Sequence, residues 1–354
     1  GCRLMDTFLA SLRASRPWPL RSRWGTRPVR AVILLAVFFF GLCVGPQPAA
    51  LAQPRQGTAP RGLDHILLWG RDIDQVSAVM AVKLGLQVRP GRNPGGVANR
   101  YVRMSDGSYL ELLGITRPDA AMDPGMQADQ ASLHGGPGSR TFGLRSAPLE
   151  DTRVRLQQHG LRPTAIFSAA LDDPDGDGPS APPRWRLFAF DRQPLSSNLF
   201  FIDYATLRHT AARAEDERAA RQHPDTAREL SAIWLLSSDA YADRRQFERM
   251  GYKGATPVRM PQIAARGFAI PVRRKRVLVL QPDGAGMAAD ALRKGGPQVF
   301  GVSIGVADLD RAKRQVERGY EKALAGYHGV LGDSFLAPTQ DDLGLLVEFH
   351  AMPR

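Results

Sequence analysis

Residues 62–74 read GLDHILLWGRDID, and the fold turns on why a histidine sits inside that apolar, strand-like run. Side chains on a strand alternate between its two faces. Leu63, His65, Leu67 and Trp69 therefore share one face and Asp64, Ile66 and Leu68 the other, so His65 points where Leu67 points, inward. Downstream, DIDQVSAVMAVKLGLQV has the spacing of an amphipathic helix from Asp72 to Gly85, where glycine suits a left-handed cap. NRYVRMSDGSYLELLGI then supplies strand candidates. The unit is a strand, a helix and a strand meander.

The same form recurs three times. The helix-like segments PLEDTRVRLQQHGLRP, DAYADRRQFERMGYK and DLDRAKRQVERGYEK each start acidic and carry a late glycine (Gly160, Gly251, Gly319). Short apolar runs precede them (TFGLRS, SAIWLLSS, FGVSIGV). Strand candidates follow: RWRLFAFDRQPLSSNLFFIDY, GFAIPVRRKRVLVLQPDG and GLLVEFHA. Self-similarity of this kind marks repeated supersecondary units, here four. Between the second and third lies TLRHTAARAEDERAARQHPDTAREL, charged nearly throughout. It reads as a helical linker over residues 206–228, separating a first domain (61–205) from a second (229–354), each with two units.

The net charge of +12 over 354 residues would suit nucleic acid, but half of it lies at the N-terminus. Seven arginines (Arg3, Arg13, Arg16, Arg21, Arg23, Arg27, Arg30) and one acid, Asp6, precede AVILLAVFFFGLCVG and the small-residue ending at Ala50 and Ala52. That is the pattern of a secretory signal peptide, expected over residues 1–52 with residues 53–60 as a short linker. The apolar run falls short of the ~20 residues a spanning helix needs. We therefore expect a periplasmic or secreted protein with no stable membrane span after cleavage, and a mature charge near +6, seven arginines less Asp6 having been removed.

Both cysteines, Cys2 and Cys43, fall within the leader, so the mature chain has no disulfide or cysteine ligand. The pairs Arg244–Arg245 and Arg273–Arg274 lack the interleaved aromatics that stack bases, and no nucleic-acid partner is expected. Asp173, Asp175 and Asp177 mimic the start of a calcium loop, but Arg184 stands where its closing glutamate belongs, and the segment reads as a hairpin loop. His134 lies in a glycine-rich connection. No paired GxGxxG or HExxH motif is present.

A βαβββ unit occurring in pairs resembles the vicinal oxygen chelate superfamily, and within it the glyoxalase-like domain proteins. GLDHILLWGRDID, GSYLELLGI, RWRLFAF with LFFIDY, and the His223–Pro224 pair carry the resemblance. It implies an α+β fold in which four βαβββ modules pair into two cup-shaped domains. It also implies a metal held by residues of the first and last strands of each unit. Carried over residue by residue, the resemblance gives His65, Glu111 and Asp203 as metal ligands, with Thr141 departing from the usual ligand types. The second domain's positions, Ala232, a residue near Val279, Gly301 and Glu348, leave only Glu348 able to bind a metal, so that half is expected to be degenerate.

One imidazole and two carboxylates suit Zn²⁺, Mn²⁺, Fe²⁺ or Ni²⁺. Thr141, Arg145 and Arg186 are candidates for binding a small-molecule substrate, the arginines through bidentate pairing with an anion. Two functions are compatible with this. One is a divalent-metal-dependent lyase, isomerase or dioxygenase acting on a small oxygenated molecule. The other is a metal-free binding or sequestration protein of the bleomycin-resistance type. Sheet edges of this architecture also suit pairing into a homodimer.

Overall fold

The computed structural model describes residues 62–353, apart from Asn93, Ala121, Asp123 and Gly135. The expected signal peptide and linker, with Cys2 and Cys43, lie outside the described residues. The chain opens with β1 (Gly62–Trp69), α1 (Ile73–Ala78), β2 (Arg89–Pro90), β3 (Val97–Arg103) and β4 (Tyr109–Ile115). Helix α2 (Pro124–Ser132) leads into β5 (Gly138–Arg145), α3 (Leu149–Gln158), β6 (Phe167–Ser168), β7 (Trp185–Phe188) and β8 (Asn198–Tyr204). After α4 (Ala211–Ala220) come β9 (Ala227–Leu236), α5 (Ala240–Arg249), β10 (Thr256–Met260), β11 (Ala265–Val272) and β12 (Lys275–Pro282). Helix α6 (Met287–Gly295) precedes β13 (Gln298–Val306), α7 (Leu309–Tyr320), β14 (Gly326–Gly329), β15 (Gly332–Ala337), α8 (Gln340–Leu343) and β16 (Leu346–Ala351).

The architecture is mixed α+β. The strands run β2-β3-β4-β1-β5-β8-β7-β6 in the first half and β10-β11-β12-β9-β13-β16-β15-β14 in the second, joined where Ser139 of β5 pairs with Val299 of β13. Within each half the two central strands are antiparallel, and each is parallel to the strand that ends its own stretch. A parallel neighbour needs a crossover connection. Helices α1, α3, α5 and α7 occur within these crossovers.

Those helices bury their apolar stripes in one core common to both halves. It contains Val76, Leu156, Phe247 and Val316 from the helices, Ile66, Leu68, Phe142 and Phe201 from the first half's strands, and Ile233, Leu235, Val302 and Phe349 from the second's. Burying each such side chain contributes roughly 1.5–3 kcal/mol. Strand β13 is buried along its whole length, which explains why VFGVSIGV is apolar almost throughout rather than alternating. Among the described residues, no helix is long and apolar enough to cross a membrane.

Strand β1 departs from simple alternation. Its register with β5 slips between Leu63 and His65, so Leu63 joins Ile66 and Leu68 in the shared core instead of lying beside His65. A bulge adds one residue to a strand and resets which face follows. Asp64 is that residue, and the slip brings it to the side of the sheet away from the core, next to His65.

Candidate functional site

The open face of the first half carries His65, Leu67 and Trp69 from β1, and Tyr109, Glu111 and Leu113 from β4. Leu67 is opposite Glu111 in the ladder, and His65 is opposite Tyr109. His65 is 3% exposed. Its Nδ1 donates to Asp64 Oδ2 at 2.6 Å, which turns Nε2 toward the site. Nε2 lies 3.5 Å from Glu111 Oε2 and 3.4 Å from the Tyr109 hydroxyl. The Tyr109 ring stacks on the imidazole at 4.2 Å, and Phe200 meets it edge-on at 5.1 Å.

Asp64 is fully buried and holds the assembly together. It also accepts from Tyr204 Oη at 2.6 Å and from Arg145 Nε at 2.8 Å. Burial alone would raise its carboxyl pKa, but the bonds from His65 and Tyr204 and the charge of Arg145 hold it below the usual carboxylate value. Glu111 behaves in the opposite way. Burial lifts its pKa above the ordinary value, and His65, Asn99, Arg103 and Arg184 offset this only in part.

The structure brings together His65 and Glu111, and it separates them from Asp203. Phe200, Ile202 and Tyr204 face the open side with Trp185 and Leu187, so Asp203 points the other way. There it pairs with Arg186 (Nη2 to Oδ2, 2.8 Å), which also bonds Glu150 of α3. Counting from the starts of α1 and α3 puts Thr141 at the position of His65. Gly143 and Phe200, which pair in the ladder, then stand where Leu67 and Glu111 do. The counterpart of Glu111 is thus Phe200, three residues from Asp203. The sequence reading misplaced it because the loop between β7 and β8 hides the register.

The candidate substrate groups are also engaged. Arg145 is tied to Asp64 and stacks over Tyr204 at 4.9 Å. Arg186 lies on the helix side. Thr141 Oγ1 donates to Asp129 Oδ1 at 2.8 Å, and Asp129 Oδ2 accepts from the Trp69 indole at 2.9 Å. Asp129 belongs to α2, in a stretch read from sequence as a connection. Its carboxylate latches that helix onto the open face.

At the four equivalent positions of this half stand His65, Glu111, Thr141 and Phe200. Two can bind a metal strongly. Thr141 is committed to Asp129 and Phe200 offers no donor. Among the described residues no three His, Cys, Asp or Glu side chains converge. A divalent ion held by three protein ligands needs one more donor than this set contains, so the expected set of His65, Glu111 and Asp203 does not fit.

Asp64, Tyr109, Tyr204, Phe200 and Asp129 were missed from sequence. The only signal for Asp64 was its place beside His65. His223, from the His223–Pro224 pair, acts at a distance: its Nδ1 accepts from Gln87 N–H at 2.9 Å and its Nε2 donates to the Arg103 carbonyl at 2.7 Å. It thereby ties the linker to β3, the strand beside Glu111.

Residues 63–262 match the family described as the glyoxalase-like domain. The chain belongs to that family. This places the glyoxalase-like protein in the vicinal oxygen chelate superfamily. No curated protein matches it. Its fold is shared with a mutant of 4-hydroxymandelate synthase from Streptomyces coelicolor, at 12% identity and a TM-score of 0.58, over 82% of this chain and 92% of that one. It is also shared with 2,2',3-trihydroxybiphenyl 1,2-dioxygenase from Sphingomonas wittichii, at 14% identity and 0.52, over 83% and 91%. A hypothetical protein from Staphylococcus aureus is similar at 13% identity and 0.52, over 82% and 99%. At these identities the likeness concerns the fold of the glyoxalase-like protein and not its chemistry.

Proposed function

We propose that the four strand-and-helix stretches are βαβββ modules paired into two cups, forming a first domain over residues 61–205 and a second over 229–354. We further propose that the protein is exported and that the first cup acts on a small oxygenated molecule by proton transfer, in the manner of a lyase or isomerase. The observation that carries this reading is His65 Nε2 at 3.5 Å from Glu111 Oε2, with Nδ1 held by Asp64. A carboxylate anchoring one ring nitrogen fixes the tautomer and supports positive charge on the imidazole.

In the forward direction the Glu111 carboxylate takes a proton from a carbon next to a substrate carbonyl. His65, protonated at Nε2, gives its proton to the carbonyl oxygen, and an enediol results. Glu111 then gives its proton to the neighbouring carbon while the other hydroxyl of the enediol gives its proton to His65, which yields the isomer and restores both groups. No step requires a resident metal, in keeping with the two-donor set. The alternative reading, ligand sequestration, is favoured by Phe200, whose ring occupies the third ligand position and crowds Gly143, where an added Cβ would lie 2.5 Å from it.

The test is solvent deuterium exchange into a panel of α-hydroxy carbonyl compounds, followed by NMR with the chelator-treated mature chain. Exchange is expected in the wild type and is expected to fall by about 100-fold or more in Glu111→Gln. A stoichiometric metal that His65→Ala loses, together with exchange that chelation abolishes, would overturn this reading. Binding without exchange would favour sequestration.

A further inference from the structure

The open face holds a continuous series of aromatic contacts. Phe200 meets His65 edge-on, His65 stacks on Tyr109, and Tyr101 meets Tyr109 edge-on with centroids 5.6 Å apart. The series ends at Arg103. Its guanidinium lies 4.9 Å from the Tyr101 ring centroid and 5.8 Å from that of Tyr109. Tyr101 is opposite Glu111 across the β3–β4 ladder, and Arg103 is opposite Tyr109, so both share the open face with the His65–Glu111 pair.

The other cations near this wall are engaged. Arg92 and Arg184 reach Asp173, and Arg145 reaches Asp64. Arg103 has no carboxylate within ion-pair range among the described residues. A guanidinium lying over aromatic rings keeps N–H donors available for a planar anion, and its fork suits bidentate carboxylate recognition. Its backbone is held as well, through the bond from His223 to its carbonyl. The imidazole centroid is 4.2 Å from that of Tyr109. Taken with the guanidinium step beyond Tyr109, this puts the two ends of the site at most about 10 Å apart, within the span of one ring and a short acid side arm.

From this we infer that the first-domain site takes a small aromatic carboxylate, its ring against Tyr101 and Tyr109, its carboxylate on Arg103 and its oxygenated end at His65 and Glu111. The inference rests on the function proposed above only for the last of these placements. The rings recognise the flat apolar body, and the guanidinium selects the acid over its neutral analogues.

The experiment is isothermal titration of the mature chain with 4-hydroxybenzoate, its amide 4-hydroxybenzamide and the aliphatic acid lactate. The expected result is measurable binding of 4-hydroxybenzoate alone, weakened about tenfold or more in Arg103→Gln and partly restored in Arg103→Lys. Unchanged thermal melting of Arg103→Gln separates lost recognition from lost fold. Equal binding of the amide, binding of lactate in preference, or no binding of any probe would overturn the inference. The wild type distinguishes the two claims, because binding of 4-hydroxybenzoate and deuterium exchange into the hydroxy carbonyl panel are read independently. Binding without exchange in the wild type would then sink the proton-transfer reading while leaving the ligand class intact.

Discussion

The two halves of the molecule place different chemistry on the same backbone positions. Counted from their helix starts, His65 and Thr141 of the first half become Ala232 and Gly301 in the second. The partners Glu111 and Phe200 become Leu278 and Glu348. Leu67 becomes Trp234, whose indole fills the space over Gly301. A Cβ there would lie 2.4 Å from the ring. Trp234 Nε1 donates to Ser303 Oγ at 2.9 Å, Ser303 donates to Glu348 Oε1 at 2.8 Å, and Tyr327 donates to the other carboxylate oxygen.

The helices that link the paired stretches follow the same division. Helix α2 is latched to the first half by the buried carboxylate of Asp129, whereas α6 packs Ala288 and Leu292 into the apolar cluster around Trp234. Both opening strands slip register at matching residues, Asp64 and Ser231. Asp64 anchors His65, Arg145 and Tyr204, while Ser231 bonds His350 and Glu229. One frame thus supports a polar site or a packed core, and a few side chains decide which.

The largest effect that could break this contrast comes from Trp234→Ala. Emptying a filled, fully buried position is expected to cost about 3–5 kcal/mol in denaturant unfolding, with Phe200→Ala costing less than half of that. Equal losses would mean that the first half is packed as a core too.

Next is Asp225, between the halves, whose N–H donates to Gly85 O and whose Oδ1 accepts from Ala227 N–H. Its Oδ2 has no partner among the described residues. Burial raises its carboxyl to about 7 from 3.8. The folded state then favours the protonated acid, so this stabilisation is complete below pH 3.8 and disappears as pH rises through about 7. Asp225→Asn should therefore leave stability unchanged near pH 4 and raise it at pH 8, by at most about 4 kcal/mol. Melting curves at the two pH values check this, and a gain of equal size at both would refute it.

Asp64→Asn removes the charge that holds Arg145 and the His65 tautomer. A loss of about 2 kcal/mol is expected, together with loss of deuterium exchange, against about 1 kcal/mol for Ser231→Ala. Comparable costs would show that the two bulges do equivalent work. The smallest effect is assigned to Asp203→Asn. Its ion pair with the partly exposed Arg186 contributes under about 1 kcal/mol, and exchange should persist. Loss of exchange there would restore Asp203 to the site.

Much of the fold was legible in the sequence because it rests on local patterns. The crossover helices α1, α3, α5 and α7 announced themselves by an acidic start, an amphipathic stripe and a late glycine, and the opening strands by apolar runs. His65 and Glu111 stood out as candidates as well, since each interrupts such a run, and the structure brings the two together. Asp203 was misassigned because register across a loop of variable length leaves no local trace, and Arg145 and Arg186 because an arginine's partner is set by the fold. Helix α2 was missed because its amphipathic signal is weak.

What the sequence by itself determined is the mixed α+β pattern, the apolar faces and the family, since periodicity and composition act over a few residues at a time. The tertiary structure alone decided that a bulge turns Asp64 toward His65, that Phe200 and not Asp203 is the counterpart of Glu111, and that Trp234 fills one half while the other retains its polar side chains. Those outcomes depend on strand register, and a shift of one residue in register moves a side chain to the opposite face of the sheet.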